Sequence, residues 1–105
     1  MRLAGLALSL LLPSLALAGP ISLKTTDGVM LSAEASGSGT HGVVLLHADD
    51  GDRKFWSELA ETLAKSDCTV VAVDLRGHGA SKGALDDAAY PKMVEDARAA
   101  ITWLE

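Results

Sequence analysis

Residues 76–83 read Arg-Gly-His-Gly-Ala-Ser-Lys-Gly, and two catalytic patterns overlap there. Gly79-Ala80-Ser81-Lys82-Gly83 fits G-x-S-x-G, in which a serine is raised on a strained strand-to-helix turn as an acyl-transfer nucleophile. Gly77, Gly79 and Gly83 fit a relaxed glycine loop of the kind that holds a dinucleotide pyrophosphate. Both patterns require a strand running directly into the glycines and a helix starting directly after them. Here strand-like sequence ends near Val73 or Asp74, and helical sequence resumes only near Pro91. Ser81 therefore reads as a loop residue, and no pyrophosphate site is expected. The nucleophile reading also lacks its partners, because His41, His47 and His78 all precede the serine.

Two further constellations fall on the same ends of strands. His47, Asp74 and Ser81 occur in the order His, Asp, Ser, and a triad is defined by geometry rather than by order. Against this stands the ordinary use of an Asp to cap the loop after its strand, which is the reading taken for Asp74. Asp49, Asp50 and Asp52 beside His47 could suggest a cation loop, but Asp-Asp-Gly-Asp lacks the alternating ligands and the distant bidentate Glu of a calcium hand. A polar turn leading into a helix capped by Asp52 is the expectation, with no metal and no cofactor.

The elements that must position these residues follow from periodicity. Ile21–Thr25 and Met30–Ala35 alternate around an Asp27-Gly28 turn and predict a hairpin. Ser36–Gly42 is small and polar, a loop. Val43–Leu46 is an unbroken apolar run ending at His47, as expected of a strand buried on both faces. Between Asp52 and Lys65, Trp56, Leu59, Ala60 and Leu63 recur at helical spacing. Thr69–Val73 predicts a second buried strand, opened by Cys68 as a small apolar residue. Residues 75–89 predict a Gly- and Asp-rich loop, and Pro91 the first turn of a last helix with Val94, Ala97, Ile101 and Leu104 on one face. The class is α/β, with at least two parallel strands.

Composition sets the outer limits. The chain has 105 residues and a net charge of −5. Arg2, the apolar run LAGLALSLLLPSLALA and Ala16-Leu17-Ala18 have the three parts of an export signal, so residues 1–18 are expected to be cleaved after Ala18 and residues 19–105 exported, periplasmic or secreted. Pro13 and the short apolar run argue against a stable membrane span. Removal of Arg2 leaves eight basic residues against fourteen acidic ones, which argues against nucleic acid. Cys68 is the only cysteine, so no intrachain disulfide can form.

The two strands and their loops resemble the amino-terminal half of the α/β-hydrolase family. In that family a strand ends in His-Gly-x, a helix follows, and the next strand ends in D-x-R-G-x-G-x-S. Here Val43-Val44-Leu45-Leu46-His47 precedes Ala48-Asp49, and Val70-Val71-Ala72-Val73 precedes Asp74-Leu75-Arg76-Gly77-His78-Gly79-Ala80-Ser81. The resemblance covers residues 43–105. It implies a three-layer α/β/α domain when complete, of which residues 19–105 form the amino-terminal portion, and hydrolysis of a small acyl substrate by a serine mechanism. It also implies that Asp74, Arg76, Gly77, His78, Gly79 and Ser81 shape a structural loop beside the active site. The first oxyanion donor maps to the backbone N–H of Asp49, flanked by His47 and by Ala48, where the family commonly has glycine. The nucleophile, acid and histidine of the family lie downstream, so no catalytic side chain is assigned here, and the chain alone is expected to be inactive and to unfold over a broad transition. The alternative is a small exported interaction domain that completes its sheet with a partner chain.

Overall fold

The computed structural model describes residues 18–105, so the expected leader lies outside the described residues. Strands β1 (Ala18–Lys24) and β2 (Met30–Ser36) form the predicted antiparallel hairpin, in register from Ala18 opposite Ser36 to Lys24 opposite Met30. Strand β3 (His41–Leu46) starts two residues earlier than the apolar run suggested, because backbone pairing continues through Gly42 and His41. A 3₁₀ turn (Arg53–Trp56), helix α1 (Ser57–Ala64), strand β4 (Cys68–Val73) and helix α2 (Ala89–Leu104) complete the chain. Asp52 caps the 3₁₀ turn by accepting from Lys54 N at 2.8 Å. No helix among the described residues is long and apolar enough to cross a membrane.

The sheet order is β1-β2-β4-β3, with β3 and β4 parallel and the other pairs antiparallel. Successive side chains of a strand point to opposite faces, and β4 uses both. Val71 and Val73 join Leu23, Leu31, Ala33 and Ala100 on the α2 side. Val70 and Ala72 join Leu45 and Cys68 under Trp56, Ala60 and Leu63 on the α1 side. Helix, sheet and helix thus form three layers around the most buried strand. Full burial of each of its valines is worth about 1.5–3 kcal/mol.

The last helix corrects the sequence reading. Val94 is 56% exposed and Ile101 49%, so these two of the predicted face turn outward, while Ala97 is half-buried and Leu104 packs against the core. The buried stripe is Ala89, Asp96 and Ala100, with Met93 half-buried between them. Its physical reason is the carboxylate of Asp96, fully buried because it receives Arg76. Hydropathy patterning assigns an Asp to the outer face and so rotates the helix away from its true register.

Candidate functional site

The carboxyl ends of the parallel strands bring the two motif loops together. Leu46 and Val73 are paired in register, so His47 and Asp74 emerge side by side from the sheet. Their side chains then part. His47 Nε2 accepts from the N–H of Leu75 at 3.0 Å, and Nδ1 lies 2.7 Å from the carbonyl of Ala48. That pattern assigns a neutral ring with its proton on Nδ1. Asp74 accepts from the N–H of Arg53 at 2.7 Å, from its guanidinium at 2.5 Å and from the N–H of Ala80 at 3.0 Å. His47 and Asp74 are therefore each committed to other partners, and no relay joins them.

Ser81 is equally committed. Its Oγ accepts from the N–H of Ser32 at 2.8 Å and donates to the carbonyl of Asp74 at 2.5 Å. The loop bearing it docks on the start of β2 through Asp74 N to Ser32 O and Lys82 N to Met30 O, both 3.0 Å. Helix α2 begins eight residues later, so the serine stands on no strand-to-helix turn. The arrangement gives Ser81 no base and no raised position.

The glycines of the loop are required by space as well as by backbone angle. Gly79 has φ +52°, and a methyl group there would collide with the Asp74 carboxylate. Gly77 has φ +76°, and its Cβ would lie 2.8 Å from Leu85. Only glycine adopts this backbone region without strain.

Arg76, only 3% exposed, anchors the loop from below. Its N–H and guanidinium engage Asp96 at 2.7 to 2.9 Å, and its guanidinium also forks onto Asp27 at 2.7 and 3.0 Å. The guanidinium, with help from the Thr25 hydroxyl, holds the Asp27 carboxyl far below the usual carboxylate range. The same two carboxylates push Arg76 higher still. Hairpin turn, motif loop and last helix are tied at one point. Sequence reading missed Asp27 and Asp96; the signal available was an acidic residue at the helical spacing of Ala89, Met93 and Ala100.

Asp49 lies in the turn after β3. The Ala48–Asp49 peptide is fixed through its carbonyl, which takes the N–H of Gly51 at 3.0 Å as well as His47 Nδ1. In a trans peptide the N–H points opposite to the carbonyl, so the Asp49 N–H is directed away from His47. Among the described residues it has no acceptor. The Asp49 side chain sits beside the Tyr90 hydroxyl at the start of α2 and raises the pKa of that phenol. His78 is buried and joins the two loops, with Nε2 against the Asp49 carbonyl and Nδ1 3.0 Å from that of Arg76. A cleft of about 420 Å³ between α1 and β2 contains none of His47, Asp49, His78 or Ser81.

This fold and these loops have counterparts among known proteins. A family profile described as the alpha/beta hydrolase fold matches residues 43–104, more than half of the chain. The chain belongs to the α/β-hydrolase family. An esterase from Pyrococcus furiosus is similar over 85% of this chain and 36% of its own, at 27% identity and a TM-score of 0.74. An epoxide hydrolase from an endophytic Streptomyces is similar over 81% and 26%, at 25% identity and a TM-score of 0.72. An esterase from Exiguobacterium antarcticum, 23% identical over 82% of this chain and 32% of its own, shares the fold with a TM-score of 0.71. This member of the α/β-hydrolase family spans 26–36% of the length of these solved structures. No curated protein sequence matches it.

Proposed function

We propose that the chain supplies the amino-terminal part of an exported serine-type hydrolase that cleaves an ester, amide or similar acyl bond. The observation that carries this reading is the Ala48–Asp49 peptide, held by His47 and Gly51 so that the Asp49 N–H, at the carboxyl edge of the sheet, has no acceptor among the described residues. During acyl transfer the substrate carbonyl oxygen gains negative charge, and a donor already fixed in place pays no reorganisation when that charge appears. Such a donor is worth about 3 kcal/mol. The similarity to an esterase at 27% identity supports an acyl substrate.

In this reading the nucleophile, acid and catalytic histidine come from sequence beyond Glu105, and residues 1–18 direct export. The coding DNA after codon 105 tests it. The expected result is a further strand, a G-x-S-x-G on a strand-to-helix turn, and then a late Asp and His, in the same or a shifted frame. Absence of such an elbow in every frame would sink the reading.

One observation favours the alternative of a non-catalytic interaction domain. Among the described residues strand β3 lies at an edge of the sheet, without a charge or a proline to blunt it after His41. Cooperative unfolding of the chain, together with coding DNA that holds no G-x-S-x-G elbow in any frame after codon 105, would select that alternative.

A further inference from the structure

His78 has a bonding problem that its neighbour His47 does not have. Both of its ring nitrogens face carbonyl oxygens, those of Arg76 and Asp49, which can only accept. A neutral imidazole carries one N–H and turns a lone pair toward the second carbonyl, whereas the doubly protonated ring donates to both. His47, facing one carbonyl and one backbone N–H, is complete when neutral. The two rings pack edge to face with centroids 4.9 Å apart. Adjacent histidines thus have hydrogen-bond surroundings suited to different protonation states.

The carbonyl that His78 holds belongs to Asp49 itself. His47 and Gly51 fix the peptide before Asp49, and His78 fixes the peptide after it. We propose that His78 is a proton-dependent positioning residue, which clamps the Asp49 loop onto the Arg76 turn when doubly protonated and loosens one of the two contacts when neutral. The purpose assigned to the clamp rests on the oxyanion reading of the Asp49 N–H; the clamp itself rests on the two carbonyls. The charged and titratable groups around it come from every packed element. They are His47 after β3, Asp49 with Tyr90 against it from α2, Asp74 paired with Arg53, and Arg76 paired with Asp27 and Asp96. Both arginines are paired with carboxylates, Arg53 with Asp74 and Glu34 and Arg76 with Asp27 and Asp96, and the proton on His78 is what changes the hydrogen bonding of the clamp.

Amide exchange of the ¹⁵N-labelled full chain tests this, read at Gly51, whose N–H is bonded to the Ala48 carbonyl, from about pH 5 to about pH 8 and corrected for intrinsic exchange. The expected result is a loss of loop protection of roughly tenfold or more across that range, in step with a ring ¹⁵N spectrum that changes from two protonated nitrogens to one. His78→Gln, which is neutral at every pH, should make the loop protection flat, while His41→Gln at the exposed start of β3 should leave the wild-type profile intact. Loop protection independent of pH in the wild-type chain, or a ring that loses its proton with no change at Gly51, would overturn the proposal. If His78→Gln fails to fold, those two wild-type readouts still decide. Because exchange rather than turnover is read, a failed clamp leaves the hydrolase reading standing, and the reverse also holds.

Discussion

Ser81 Oγ accepts the N–H of Ser32 at 2.8 Å, joining the motif loop to the opening hairpin across 49 residues of sequence. The same oxygen donates its proton to the carbonyl of Asp74, so the proton that a nucleophile must give up is held by structure. Ser81→Ala should therefore leave the Ser32 N–H and the Asp74 carbonyl without this partner and lower stability by about 1–3 kcal/mol. Urea denaturation, followed by circular dichroism, reads this as a lower midpoint at unchanged slope. A neutral substitution would remove Ser81 from the set of ties.

Arg76 predicts a larger effect. Removing one partner of a buried ion pair costs about 3–5 kcal/mol because a charge is left uncompensated. Asp96→Ala should approach that figure, enough to unfold a domain of this size, and limited proteolysis will register it as rapid digestion. Asp27, partly exposed, still holds the other side of the guanidinium, so Asp27→Asn should be the milder change.

The pH dependence has a definite sign. Asp27 has a depressed pKa in the folded chain, chiefly through the Arg76 guanidinium, and Asp67 is lowered too, chiefly by the Thr40 hydroxyl. A carboxylate with a lowered folded pKa contributes stability above its unfolded pKa of about 4, and this contribution is lost as pH falls from there toward the folded value. The urea midpoint should fall on acidification below about pH 5, and Asp27→Asn should reduce that slope. An unchanged slope in Asp27→Asn would contradict the assignment.

Gly79 gives a steric prediction. Gly79→Ala must place a methyl group against the Asp74 carboxylate at a positive φ, so it should destabilise by more than about 1 kcal/mol, the most that the same change gains at a compatible backbone angle. Differential scanning calorimetry should show a clear drop in Tm.

Helix α2 allows its two stripes to be told apart. Val94→Lys, on the exposed stripe, should change stability by about 0.5 kcal/mol or less. Ala100→Leu, at the fully buried contact with the sheet, should cost about 1–3 kcal/mol through overpacking. Thermal denaturation of both variants distinguishes the observed register from the one that hydropathy suggests.

These contrasts show how far local pattern reaches. The hairpin was legible because alternation and an Asp-Gly turn are both local. So was β4, because a β-branched run closed by Asp-x-Arg-Gly reads as a strand ending in a loop. The register of α2 was hidden, since Asp96 becomes a core residue only through Arg76, 20 residues away. His78 looked like one more loop residue for the same reason: its second partner, Asp49, follows a different strand. In the proposed site, the Asp49 position could be reached through the motif resemblance. The fixing of its peptide by His47 and Gly51 is a property of the folded turn alone.

RGHGAS ties the fold together through Arg76 and Ser81, and under the proposed function the acyl nucleophile is not Ser81. Hydrolysis of a chromogenic ester by the purified chain and its Ser81→Ala variant tests this most directly. Neither protein should turn over the ester above the rate in buffer. Robust turnover by the wild-type chain that Ser81→Ala abolishes would contradict it.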